Sequence, residues 1–251
     1  MELNEQNNQI LTKRERKELR WQEKAREEQV HQRSRVVKKW TTRLAILLVI
    51  AGSIGGIFLY GSNRPTVPTS ELLTVAPDDW IKGNKDAPVT IVEYLDFECE
   101  ACGAFYPVVK RLSEEYKDEV RFVVRYFPLP GHKNSMTSAF AVEAAGKQGK
   151  YWEMHDVVFE NQRDWGEKQA PDPKIFENYA RQIGLDMEQY NKNILLQELK
   201  DRIERDRKTG QRLGITGTPT FFLNGEKIQN PRDYEEFKAL IETAIKKVPK
   251  T

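Results

Sequence analysis

Cysteine is nearly missing from this chain: it occurs twice in 251 residues, as Cys99 and Cys102. Neither lies near the one long apolar run, Leu44–Tyr60, so lipid attachment through a lipoprotein cysteine is excluded. Histidine is also scarce. His31, His132 and His155 are the only three, and their separation offers no zinc-finger spacing to join the cysteine pair. Neither sign of charge dominates, with 40 Lys+Arg against 38 Asp+Glu. There is no internal repeat, which excludes solenoid and propeller arrays. No A-x-A cleavage site follows the apolar run, and the charge-rich lead of 43 residues before it is too long for an ordinary signal peptide.

The charge that is present is unevenly placed. Residues 1–43 carry 12 Lys/Arg and 7 Asp/Glu, a net of +5, which leaves −3 for the rest. The basic residues alternate with acids (Lys13-Arg14-Glu15-Arg16-Lys17-Glu18), a pattern that argues against a phosphate-tracking arm, so no nucleic-acid partner is expected. Apolar residues are too sparse in residues 1–40 for a core. A solvated or membrane-surface helix and a disordered arm both fit this composition. Leu44–Tyr60 has 17 apolar or small residues without charge. As a helix it spans about 26 Å, at the short end of what crosses a bilayer. Lys38, Lys39 and Arg43 adjoin one end and a Pro/Ser/Thr stretch the other, which disfavours a buried core helix. A single uncleaved anchor is therefore expected, with residues 1–43 cytoplasmic and the remainder outside the cytoplasmic membrane, where disulfides persist. Gly52 and Gly56 form a GxxxG pair that suits a helix dimer. Residues 61–79 read as a linker able to reach about 60 Å when extended.

The folded domain is expected over residues 80–251. Val89–Asp96 is a near-continuous apolar strand, as in a sheet covered on both faces. A helix over Ala101–Tyr116 follows, with Pro107 as a kink point. A second strand, Val120–Phe127, is stopped by Pro128 and Pro130 and suits a parallel strand–helix–strand unit. From about 134 to 213 no strand is expected. Helices are read over Ser135–Lys147, Tyr151–Asn161, Lys174–Ile183 and Met187–Thr209. Trp152, Met154 and Phe159 are read as core of that block, with lining of a substrate groove as the alternative, His155 as a core or cap residue, and His132 as a loop or helix-start residue within reach of the site. Thr220–Leu223 and Glu226–Ile228, joined by Asn224-Gly225, form a hairpin, and Pro231–Lys247 a final helix.

Cys99-Glu100-Ala101-Cys102 thus falls at a strand-to-helix turn. The orphan N–H groups and dipole of a helix N-terminus favour a thiolate on the first cysteine. Residues i and i+3 share a helix face about 5–6 Å apart, within easy reach of a disulfide. Such a pair closes and opens without moving the fold, which is the behaviour of a redox device.

Phe97-Glu-Cys-Glu-Ala-Cys102 after a buried strand, a helical insertion, and Gly217-Thr-Pro-Thr-Phe-Phe222 before a hairpin resemble the DsbA-like branch of the thioredoxin superfamily over roughly residues 80–248. The resemblance implies an α/β, thioredoxin-like fold with a helical insertion, and thiol–disulfide exchange without metal or organic cofactor. Cys99 is then the attacking residue and Cys102 the resolving one. Pro219 is implied to follow a cis bond facing the pair, leaving the backbone of Thr218 to bind an extended substrate segment. Glu93, six residues before Cys99, is implied to be a buried acid able to relay a proton to Cys102. Read from the residues alone, it fits a strand-edge glutamate reaching solvent equally well. Arg125 is a candidate basic partner for it. The family donates disulfides to exported proteins, and with two cysteines only, a membrane protein of the DsbB or VKOR type is implied for recycling. Glu98 and Glu100 flank Cys99, and no histidine lies between the cysteines, so a milder oxidant than DsbA itself is expected. The rival readings are a reductase or isomerase of the same fold, a metal site using His132 and His155, and an anchored binding module with a structural disulfide.

Overall fold

The computed structural model describes residues 69–249 and isolated helical positions between Lys17 and Ser53. The chain divides into two units, Met1–Thr66 and Val67–Thr251. Most of the expected anchor at 44–60 and of the arm before it, and residues 61–68 of the expected linker, lie outside the described residues. Among the described residues no helix is long and apolar enough to cross a membrane.

The second unit is built on five strands in the order β1-β3-β2-β4-β5. They are β1 (Trp80–Lys82), β2 (Val89–Leu95), β3 (Val120–Tyr126), β4 (Thr220–Leu223) and β5 (Glu226–Lys227). β2 is central, parallel to β3 and antiparallel to β4. Its Val/Ile/Leu-rich run is therefore buried on both faces, as a covered strand requires. Asn224 (φ 50) and Gly225 (φ 86) form the β4–β5 turn, where two positive φ values are what the mirror-image hairpin turn needs. Asn224 also locks the hairpin to the sheet, since its Oδ1 accepts from Thr90 N at 2.8 Å.

One sheet face carries Val89, Ile91, Glu93 and Leu95 of β2, beside Phe122, Val124 and Tyr126 of β3. Helix α1 (Glu100–Glu115) covers it with Leu112, and the last helix, α8 (Tyr234–Lys246), with Phe237 and Ile241. Towards the cysteine end the same face merges with the core of the insertion, around Met154, Val158, Trp165 and Phe176. The other face holds Val92, Tyr94, Val123, Phe127 and Phe222 beneath Leu73 and Ile215. α1 continues through Pro107 to Glu115.

The insertion consists of α2 (Ser135–Gly146), α3 (Tyr151–Glu160), α4 (Gln162–Trp165), α5 (Pro173–Gln182), α6 (Met187–Asn193) and α7 (Gln197–Arg212). The expected single helix from Met187 to Thr209 is in fact two, because Leu196 is extended (φ −67, ψ 129). The break serves two packing partners. Tyr190 on α6 is buried in the insertion core, while α7 lies along β3, where Asp206 Oδ2 accepts from Tyr126 N at 3.3 Å.

β1 is too short to leave a periodic signal. It is held by Trp80, which stacks on Tyr151 at 4.2 Å and donates from Nε1 to Glu143 at 2.7 Å. Residues expected to be linker already belong to the fold. Leu73 is buried, and Arg125 donates to Leu72 O, Thr74 O and Asp79 Oδ2 at 2.7–2.8 Å.

Candidate active site

β2 ends at Leu95, and the chain turns over Asp96–Glu98 to deliver Cys99 as the N-cap of α1, extended at φ −69 and ψ 119. Asp96 organises that turn. Its carbonyl accepts from Cys99 N at 3.1 Å and its Oδ1 from Glu98 N at 2.9 Å. Oδ2 accepts from Leu129 N at 2.8 Å and lies 2.7 Å from His132 Nδ1. One buried carboxylate thus ties the cysteine turn to the loop after β3.

The opposing wall is the loop before β4. The Thr218–Pro219 bond is cis, and the Cys99 thiol donates to Thr218 O at 3.3 Å. Thr220 Oγ1 donates to Gly217 O and Asn230 Nδ2 to Pro219 O, each at 2.8 Å, which braces the loop on both sides of the proline. Cys99, Cys102, Thr218 and Pro219, predicted from distant parts of the sequence, are brought to one place.

The two thiols are both free and differ in environment. Cys99 is 8% exposed and Cys102 fully buried. A hydrogen bond from the Cys102 thiol pulls Cys99 down to about 5 against the opposing effect of burial, with help from the Thr218 side chain and the N–H groups of Cys102 and Ala101. Cys102 is pushed well above its ordinary value, first by burial, then by Cys99 and Glu93. Glu98 does not oppose the thiolate in the way its sequence position suggests. Its buried side chain turns to the start of α2 and accepts from Asn134 N at 2.6 Å.

Glu93 is 7% exposed between Val124 and Phe221, so the alternative of a solvent-reaching edge residue is set aside. Burial raises its carboxyl to about 8. A cavity of about 20 Å³ is lined by Glu93, Lys110, His155 and Asp156 among others, enough room for one water. Arg125 is not the basic partner of Glu93. It stands opposite Tyr94 in the register, one residue out of phase with Glu93, and so on the other face of the sheet. There it makes a buried ion pair with Asp79 at 2.8 Å.

His132 pairs with Asp96, and His155 is buried among Phe97, Tyr106, Trp152 and Phe159. Among the described residues no three His, Cys, Asp or Glu side chains are grouped to hold a metal ion. Two contributors were not anticipated. Asp96 is one. Gln162 on α4 is the other, since its Nε2 donates to Phe97 O at 2.7 Å and Cys99 O at 2.9 Å. Gly103 is the only trace of Gln162 in the motif, because a side chain there would collide with it.

Several known proteins are similar to this chain. The Na(+)/H(+) antiporter NhaA 3 of Salinispora tropica is 35% identical over 176 residues, 69% of this chain and 26% of that protein. The chain therefore spans about a quarter of the length of the curated relatives it matches. In three dimensions it resembles alpha-DsbA1 of Wolbachia pipientis, with a TM-score of 0.65 and 25% identity over 72% of this chain and 97% of that one. It also resembles oxidised BdbD of Bacillus subtilis, with a TM-score of 0.59 and 28% identity over 66% and 92%. Residues 75–243 match the family described as Thioredoxin. With two thirds of its length inside that match, its cysteine pair at the head of α1 and the Thr218–Pro219 loop across from it, the chain belongs to the thioredoxin family.

Proposed function

We propose that this protein is a thiol–disulfide oxidoreductase of the DsbA type, which donates the Cys99–Cys102 disulfide to exported proteins outside the cytoplasmic membrane. The observation that carries the reading is the split in acidity between the cysteines: Cys99 at about 5 and Cys102 far above its usual value. A stable thiolate on Cys99 favours the reduced form of the pair, and hence makes its disulfide oxidising. The value lies between the roughly 7 of thioredoxin and the roughly 3.5 of DsbA, which supports an oxidant milder than DsbA.

In the donating direction a substrate thiolate attacks Cys99 Sγ. The Cys99–Cys102 bond breaks, its electron pair goes to Cys102, and that sulfur takes up a proton. A second substrate thiolate then attacks the substrate sulfur of the mixed disulfide and releases Cys99 as thiolate. Two substrate thiols become one disulfide, and the cysteine pair is left reduced. Thr218 and Pro219 line the approach to Cys99 and hold the incoming segment. Glu93, at about 8, is mostly protonated at neutral pH and supplies the proton Cys102 needs. No step calls for a metal or organic cofactor.

With its two cysteines spent, the protein needs an external oxidant. A membrane partner of the DsbB or VKOR type fits a chain tethered by residues 44–60. The ion exchange named for the antiporter relatives is not carried over, because this chain spans only about a quarter of their length.

Two measurements test the reading. Equilibration with glutathione buffers should give a reduction potential of roughly −120 to −180 mV, whereas a value near −270 mV, about that of thioredoxin, means a reductase. In intact cells after mild reduction, a membrane-impermeant maleimide should label Cys99; labelling only after lysis puts the domain in the cytoplasm.

A further inference from the structure

Gln162 makes an unusual approach to the cysteine turn. It belongs to α4, deep in the sequence of the insertion, yet its amide donates to the carbonyls on either side of Glu98, those of Phe97 and Cys99. The Cys99 carbonyl also accepts the first helical bond of α1, from Gly103 N at 3.1 Å. Gln162 Oε1 occupies the place of a side chain at residue 103, since a Cβ there would lie 2.1 Å from it. A helix interior favours alanine over glycine, and Gly103 does not have a positive φ. The room taken by Gln162 is what accounts for the glycine. The base of Gln162 is itself held: Gly166 N donates to Gln162 O at 2.7 Å, and the neighbouring Trp165 is buried with Nε1 donating to Val158 O at 3.0 Å.

We propose that Gln162 is a positioning residue that sets the acidity of Cys99, and so couples the redox pair to the helical insertion. The inference rests on the exchange reaction proposed above. As N-cap, Cys99 lies outside the regular helix, so its backbone orientation is set by what its carbonyl and N–H meet. Two donors, Gly103 N and Gln162 Nε2, fix the carbonyl. The carbonyl they fix opens the first turn of α1, which carries the Ala101 and Cys102 N–H groups that help lower the Cys99 thiol. Hydrogen bonds weaken steeply with angle, so a rotation at this turn removes stabilisation from the thiolate without unfolding anything.

The test is the pH dependence of Cys99 alkylation in the purified full chain, together with its equilibrium with glutathione. Gln162→Ala should raise the Cys99 pKa by about half to one unit, equivalent to about a three- to tenfold loss of thiolate below the pKa. The glutathione equilibrium should move by a similar factor towards the disulfide form. Gly103→Ala, which evicts the amide while keeping it in the sequence, should reproduce the shift. In the Gln162→Ala background it should add nothing, a strong coupling between contacting sites. The same thermal transition in each variant shows that folding is intact. A low wild-type pKa that neither substitution moves overturns the inference alone. A wild-type Cys99 that titrates near 9 overturns the exchange reading, and this inference with it.

Discussion

Replacing Cys102 with alanine should stall exchange at its midpoint. Mixed with a disulfide-bonded peptide, Cys102→Ala should accumulate a covalent adduct on Cys99, seen by mass spectrometry and lost on adding dithiothreitol. Cys99→Ala should form none, because the remaining sulfur is fully buried and held protonated. An adduct on Cys102 in the Cys99→Ala protein would reverse the assignment. The magnitudes show where the acidity of Cys99 matters. Lowering a thiol from 9 to about 5 raises its thiolate fraction at pH 7 about a hundredfold. The accompanying fall in intrinsic nucleophilicity, with a Brønsted slope of about 0.4–0.5, takes back a factor of about 40 to 100. Attack is thus little faster than for an ordinary cysteine. Departure gains, because the better-stabilised thiolate leaves faster, and departure of Cys99 is the step that completes donation. The largest contribution to that acidity is the hydrogen bond from Cys102. Cys102→Ala should therefore also shift the Cys99 alkylation midpoint upward, and the poorer leaving group should prolong the life of the adduct.

Glu93→Gln should slow disulfide donation about ten- to a hundredfold at pH 7, in the range of a lost general acid. Cys102 is a poor leaving group unless it is protonated as the bond breaks, and Glu93, at about 8, is charged enough of the time to exchange its proton and neutral enough to donate it. The wild-type rate should fall as pH rises through 8, and the variant should lack that limb. Equal rates for the two proteins between pH 6 and 8 would remove Glu93 from the reaction. Stability carries a second, independent signature. The folded-state pKa of Glu93 is raised from 4.5 to about 8. Its favourable contribution is complete below 4.5 and is lost as pH rises through 8. Above pH 8 the buried charge costs on the order of 3–5 kcal/mol. Glu93→Gln should thus gain thermal stability relative to wild type as pH rises from 5 to 9, while losing activity over the lower part of that range.

The elements that could be read along the chain are those governed by short-range patterns. β2 and β3 follow from their apolar runs, and the β4–β5 turn from Asn224-Gly225, whose backbone preference is local. The cysteine turn follows from a strand ending where a helix begins. Other features have no local marker. Three-residue β1 exists because Trp80 finds Tyr151 and Glu143. The break at Leu196 exists because α6 and α7 pack on different partners, and a continuous helical pattern does not record a change of partner. The pairing of Arg125 with Asp79 rather than Glu93 is a matter of strand parity, and a register shifted by one residue would reverse it.

The sequence by itself determined the chemistry available: two cysteines one helical turn apart, a Thr-Pro-Thr loop before a hairpin, and an acid on a central strand. Only the tertiary structure decided how that chemistry is tuned. The acidity of a sulfur depends on which dipoles and charges lie within a few ångströms of it. For Cys99 these come from its own helix and from the side chain of Thr218, 119 residues away. Glu98, the adjacent residue, is turned away to cap another helix, and Gln162, 63 residues on, holds the carbonyl of Cys99. Nearness along the chain predicted the wrong neighbour and missed the right one, because electrostatic and hydrogen-bond effects fall off with distance in space, and packing sets that distance.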